Sequence, residues 1–270
     1  MPEPKTRHFH TIIESSKARV SAFIPSYISN RLLLAFLELL RSWHRIAGRK
    51  NYGHAAGNAE VIRKNHAVRI RKNNGFIEDQ HRYEDVSLGL TDMAYAGCEI
   101  IALYNVLADW RTHGNSGKRQ GPDTTMPGWE ENLSSHLASL IRDFEKDGIL
   151  LSGRFGTSPR ALCDYIRQMG LEADLFRLDK KQSRDLDFSS FPADSYLLYY
   201  YNNANNIMDQ IHTICITRNP EGQYTGHNIR GDRARGPYSS IRQMLSDANQ
   251  DNAKGIALIT ISYTNSRNHY

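Results

Sequence analysis

AGCEIIALYNVLADW, residues 96–110, is the stretch on which the reading of this chain turns. Ala96 and Gly97 form a small turn, and the residues that follow predict an amphipathic helix from Cys98 to about Trp110. Cys98 therefore sits at the mouth of a helix rather than on its side. Unpaired backbone N–H groups and the helix dipole stabilise a thiolate there, so the placement predicts a nucleophile. A lone cysteine among apolar residues is ordinarily a packing residue. Cys163, mid-helix between Leu162 and Asp164, and Cys215, inside an apolar strand, fit that description.

Working outward, two strands far downstream carry the polar groups such a thiol needs. DQIHTICITR, residues 209–218, places His212 at the start of a strand, with Thr213, Cys215 and Thr217 on the opposite face from His212, Ile214 and Ile216. YTGHNIRG, residues 224–231, carries Asn228 on the next strand. The connecting NPEG, residues 219–222, is a hairpin signal. Centring the turn between Pro220 and Glu221 brings position 212 opposite about 229, so His212 and Asn228 are expected as cross-strand neighbours. A register slip of one residue would turn them to opposite faces. A thiol, an imidazole to hold its proton and an amide to orient the ring are the parts for acyl-transfer chemistry.

The elements around these three residues predict an α+β chain: helices first, then an antiparallel sheet. Residues 1–29 are mixed and weakly periodic. RLLLAFLELLRSWHRI, residues 31–46, predicts a helix capped by Asn30, with Leu33, Phe36, Leu37, Leu40 and Trp43 along one face and a partner surface to bury them. Residues 48–60 read as a linker, AVRIRK (67–72) as a short strand and NNG (73–75) as a turn. Residues 112–128, rich in Gly, Pro and polar side chains, predict a mobile loop. Helices follow at 129–148, closed by Gly148, and at 159–170, capped by Ser158, started by Pro159 and closed by Gly170. Strands are expected at 172–178, 195–201, 211–218, 223–230 and 255–262, with PYSSIRQMLSDA (237–248) as a helix before the last. The expected organisation is a basic helical extension, residues 1–75, and a main unit, residues 76–270.

Composition narrows the function classes. With 40% apolar residues, 14 Tyr and 9 Phe, the chain has enough apolar mass for a core. Its longest apolar run, Leu32–Leu37, is far short of the roughly 20 residues of a membrane span. No secretory signal pattern opens it, and three widely spaced cysteines form neither a disulfide framework nor a zinc set. A reducing, cytoplasmic location and no metal or other cofactor are the expectations. The net charge of +5 is uneven: residues 1–75 hold 14 Lys/Arg against four Glu, leaving the remainder net acidic. Such an arm is either a solvated extension or a docking element for an acidic partner or a membrane surface; with few aromatics for stacking, it argues against nucleic acid.

With Cys98, His212 and Asn228 in place, residues 92–270 resemble the papain-like fold, and most of all the double-glycine peptidases that process bacteriocin leaders. In that family a Cys begins the central helix, a His begins a sheet strand, and an Asp or Asn follows roughly sixteen residues later. GTSPRALCDYIRQMGLEADLF, residues 156–176, also resembles the family's helix–turn–strand segment. The resemblance implies a thiol hydrolase or acyltransferase with Cys98 as nucleophile, His212 as proton carrier and Asn228 as orienter, acting on a peptide or protein at an amide, isopeptide or thioester bond. Two positions depart from it. The family's oxyanion-hole Gln, six residues before the Cys, is Asp92 here, and a carboxylate would repel a developing oxyanion. Gln80 is distant in sequence from that position. The Gly usual after the Cys is Glu99. Both departures suit the competing expectation, a non-catalytic papain-like module whose cleft holds a peptide.

Overall fold

Ser29, with extended backbone, accepts a hydrogen bond from the Leu32 amide and so starts α1 (Asn30–Ala47). Asn30, expected as the cap, instead donates its amide to the carbonyls of Leu178 and Gly255, 2.9 and 3.1 Å away, tying α1 to the sheet. The computed structural model describes residues 29–48, 51–113, 129–202, 211–231 and 233–263. The expectations for residues 1–28 and for the loop at 114–128 lie outside these. Helix α1 buries Leu33, Leu37, Leu40, Arg41 and His44, a face turned slightly from the predicted one. Trp43, expected inside, is 62% exposed. Arg41 is buried and held by Asp147 at 3.1 and 3.2 Å and by Asp164 at 3.4 Å.

The linker expected over 48–60 gives way to helix at Ala55, and the strand expected over 67–72 is helical as well. Helix α2 (Ala55–Val61) continues through a π turn (Ile62–His66) into α3 (Ala67–Lys72). Ile62, His66, Ala67 and Ile70 are buried while Val68 is exposed, a helical rather than an alternating pattern. The apolar/basic alternation of AVRIRK imitated a strand because a run of six cannot separate the two periods.

A short ladder of β1 (Ser87–Leu88) and β2 (Thr91–Asp92) leads into α4 (Met93–Ala96) and the long α5 (Cys98–His113). Helix α5 is central: from Cys98 to Asp109 every residue is buried, so the expected amphipathic helix is covered all round. It packs on α6 (Trp129–Lys146) and on two sheet strands. Helix α7 (Pro159–Gln168) begins as predicted, with Ser158 accepting from the Ala161 amide and Pro159 in the first turn.

The remaining chain builds an antiparallel six-stranded sheet. Strand β3 (Glu172–Arg177) is followed by α8 (Lys180–Asp185), then β4 (Ser195–Tyr201), β5 (Ile211–Arg218), β6 (Tyr224–His227), β7 (Arg235–Tyr238), α9 (Ile241–Asp247) and β8 (Lys254–Ser262). The spatial order is β3-β8-β4-β5-β6-β7. Pro237 and Tyr238, expected to open the helix at 237–248, instead end β7, and α9 begins only at Ile241 after the Ser240 cap; Pro237 is tolerated in the sheet because β7 is an edge strand.

Alternation along the strands divides the interior into two cores. Leu197, Tyr199, Cys215, Ile259 and Ile261 face the helices, joining Ile100, Ile101, Leu103 and Leu107 of α5 and Leu33 and Leu37 of α1. Tyr196, Leu198, Tyr200, Ile214 and Ile216 face the other way, onto Ile241, Met244 and Leu245 of α9. The chain is thus α+β as expected. The described part of the 1–75 extension is built into the same core as α5.

Candidate active site

Three chain segments meet at the end of the sheet where β5 begins, beside the start of α5. The mouth of α5, the start of β5 and the end of β6 open onto one cleft of about 440 Å³, whose walls include Cys98, His212, Asn228, Gln80 and Tyr200. The three residues singled out in the sequence therefore share a cleft.

Cys98 is the first residue of α5 and is only 6% exposed. Its thiol donates to Glu99 Oε2 at 3.3 Å. The expectation of a lowered thiol pKa is reversed. Burial, and then the Glu99 carboxylate, push the Cys98 thiol well above the ordinary range, against the opposing pull of the Thr213 backbone N–H. Helix-end stabilisation, worth at most about 2 kcal/mol, is outweighed by desolvation and a like charge in contact. Glu99 is itself 3% exposed, and burial raises its carboxyl to about 7. At rest the site holds a protonated thiol.

The hairpin register is shifted from the predicted one. Pairing runs from Arg218 with Tyr224 to Cys215 with His227, so the turn is centred on Glu221. Regular pairing ends at His227, and Asn228 leaves the strand in the left-handed region at φ 59°. Asparagine tolerates that conformation better than most residues. The turn aims the Asn228 backbone carbonyl at His212, 2.6 Å from Nε2. A carbonyl can only accept, so Nε2 carries the proton and Nδ1 is the basic nitrogen. Burial lowers the His212 pKa to about 4; the Asn228 carbonyl works against this and His81 adds to it. His212 is a neutral base at physiological pH. Its ring meets Tyr200 edge-on, with centroids 5.8 Å apart.

The Asn228 side chain does something else: it clamps Gln80. Asn228 Oδ1 accepts from the Gln80 backbone N–H at 3.0 Å, and Asn228 Nδ2 donates to Gln80 Oε1 at 3.1 Å. Gln80 Nε2 donates to the Ala94 carbonyl at 3.0 Å, one of its two hydrogens. Gln80, remote from Cys98 in sequence, thus also brings its side-chain amide to the cleft. Asp92, expected beside the oxyanion, spends its carboxylate on capping α4, accepting from the Tyr95 amide at 2.8 Å, and does not line the cleft. The chain between Gln80 and Cys98 folds back through the β1–β2 ladder, and Gln80 and Cys98 line the same cleft although 18 positions apart.

A buried pair fixes the Asn228 turn. Glu78 Oε1 lies 2.6 Å from His227 Nδ1, and Glu78 Oε2 accepts the Asn228 amide at 3.0 Å. Phe76 stacks on the His227 ring at 4.2 Å. Burial works to lower the His227 pKa, but the charge and hydrogen bond of Glu78, with Asp109 behind, raise it overall. Gly226 allows the close packing: a Cβ there would sit 2.4 Å from Ile229 Cδ1 and 2.6 Å from Met244 Sδ. Neither Glu78 nor His227 stood out in the sequence, although His227 adjoins Asn228.

Cys163 and Cys215 are buried packing residues at 1% and 0% exposure. Among the described residues no group of three or more His, Cys, Asp or Glu is placed to hold a metal ion, and no helix is long and apolar enough to cross a membrane. No protein-family model matches this chain, and no curated protein or solved structure matches it.

Proposed function

We propose that this protein is a thiol-dependent hydrolase or acyltransferase of papain-like architecture, acting on an amide, isopeptide or thioester bond of a peptide or protein. The observation that carries the reading is the convergence of Cys98, His212, Asn228 and Gln80, from four separate segments, on one cleft. With Nε2 held by the Asn228 carbonyl, His212 Nδ1 takes the Cys98 proton as sulfur attacks the substrate carbonyl. The carbonyl π electrons move to oxygen as the S–C bond forms. The Cys98 backbone N–H and the second Gln80 Nε2 hydrogen, the first being given to the Ala94 carbonyl, are the donors assigned to that oxyanion. Collapse expels the leaving group, which takes the proton from imidazolium, and water or an amine then resolves the thioester. Because thiol and imidazole are both neutral at rest, His212 acts as a general base when substrate arrives, not as half of a standing ion pair.

A second reading, a peptide-binding module that does no chemistry, is favoured by one observation: the Cys98 proton is directed to Glu99. Incubation with a short peptide thioester, followed by mass mapping, separates the two. The enzyme reading requires an acyl adduct on Cys98, none in Cys98→Ala, and formation slowed about a hundredfold or more in His212→Ala. Peptide binding of equal strength in wild type and Cys98→Ala, with no adduct, would establish the module instead.

A further inference from the structure

Cys98 also forms part of the wall of a second, smaller cavity of about 60 Å³, on its Glu99 side, lined by Thr157, Arg154, Tyr199 and Leu37 among others. Three residues of its lining carry a buried polar atom with no hydrogen-bond partner: Thr157 Oγ1, on a residue only 1% exposed, Arg154 Nε and the Tyr199 hydroxyl. Buried polar groups left unpaired are uncommon and costly, so three around one cavity call for an occupant. All three can donate. The cavity is also built to stay narrow: Gly156 has φ +69°, and a Cβ there would lie 2.6 Å from Glu99 Oε1.

We propose that this cavity is a recognition subsite for a short, uncharged group bearing a hydrogen-bond acceptor, a carboxamide or carbonyl, carried by the molecule that Cys98 attacks. The inference rests on Cys98 being the nucleophile. The charge selection follows from the lining. A carboxylate would face the Glu99 carboxyl, which is ionised above about pH 7. An ammonium could donate to the Thr157 hydroxyl but would leave Arg154 Nε unpaired and meet its guanidinium. A neutral carbonyl oxygen offers these donors an acceptor and brings no net charge against either the Glu99 carboxyl or the Arg154 guanidinium.

Haloacetyl reagents test this, because iodoacetamide and iodoacetate differ only in that group. In each, the Cys98 sulfur displaces iodide. The readout is the ratio of Cys98 labelling rates with the two reagents at pH 8, divided by the same ratio for a small thiol in solution. The subsite predicts a ratio above the free-thiol value, reduced by about three- to tenfold in Thr157→Val, the effect of one hydrogen bond, and retained in Thr157→Ser. Thr157→Val should also unfold at an equal or higher temperature than wild type, since it removes an unpaired buried hydroxyl. A wild-type ratio equal to the free-thiol value, or no change in Thr157→Val, would overturn the subsite while leaving the nucleophile standing. No labelling of Cys98 by either reagent would end the nucleophile reading and the subsite together.

Discussion

A carboxyl group 3.3 Å from a thiol, with both out of water, decides what that thiol is at rest. Glu99 accepts the Cys98 proton and disfavours the thiolate by its charge, while burial disfavours it further. Glu99→Gln removes the charge and keeps a side chain of similar shape. Alkylation of Cys98 at pH 7.5 should then rise several-fold over wild type, read by the rate of mass gain on its peptide; a fall would mean that Glu99 helps to deprotonate Cys98. A second prediction concerns Glu78, whose two oxygens serve His227 and the Asn228 amide. Glu78→Gln cannot accept at both atoms, so one buried donor goes unpaired, at a cost of about 1–3 kcal/mol. Denaturant unfolding checks that cost. Cys98 acylation should fall with it, because the Asn228 carbonyl loses the turn that aims it at His212.

At the scale of elements, α1 separates what the sequence could tell from what it could not. Its existence was plain from Leu33, Leu37 and Leu40, but its rotation was not, since Leu32, Leu39 and Trp43 are equally apolar and stay exposed. What turns the helix is polar and distant: Arg41 between Asp147 and Asp164, and Asn30 on the sheet carbonyls. Leu37→Ala should therefore destabilise by about 2–5 kcal/mol, whereas Leu39→Ala and Trp43→Ala should change unfolding by less than about 0.5 kcal/mol. Equal costs at all three would mean that the exposed face is covered in solution. Similar limits applied to the site. Cys98 and His212 were legible because helix and strand starts have local signatures. Gln80 was not, because its place depends on how the chain folds back between residues 80 and 98. Asp92 was misjudged by counting back from Cys98. As the cap of α4, its replacement by Gln should cost about 1 kcal/mol in denaturant unfolding and bring no gain in Cys98 labelling.

For the whole molecule, two buried groups of the cleft impose opposite demands on pH. His212 has its pKa lowered from 6.5 to about 4, so the unfolded chain binds the proton more readily. The stability tied to it is complete above 6.5 and is lost as pH falls through about 4. Glu99 has its pKa raised from 4.5 to about 7, so the folded chain holds the proton more readily. The stability tied to it is complete below 4.5 and is lost as pH rises through about 7. Each shift is worth a few kcal/mol, and between 4.5 and 6.5 the two slopes largely cancel. Single variants uncover them by difference from wild type, which removes the contributions of all other groups. Relative to wild type, Glu99→Gln should gain stability steadily from pH 4.5 to 7 and then level off. His212→Asn should gain as pH falls from 6.5 to 4, because it is spared the proton that the unfolded wild-type chain takes up. Urea unfolding at half-unit steps from pH 4 to 8 reads both curves. A flat difference curve for Glu99→Gln would mean that its carboxyl titrates normally, and the account of the resting Cys98 thiol would fail with it.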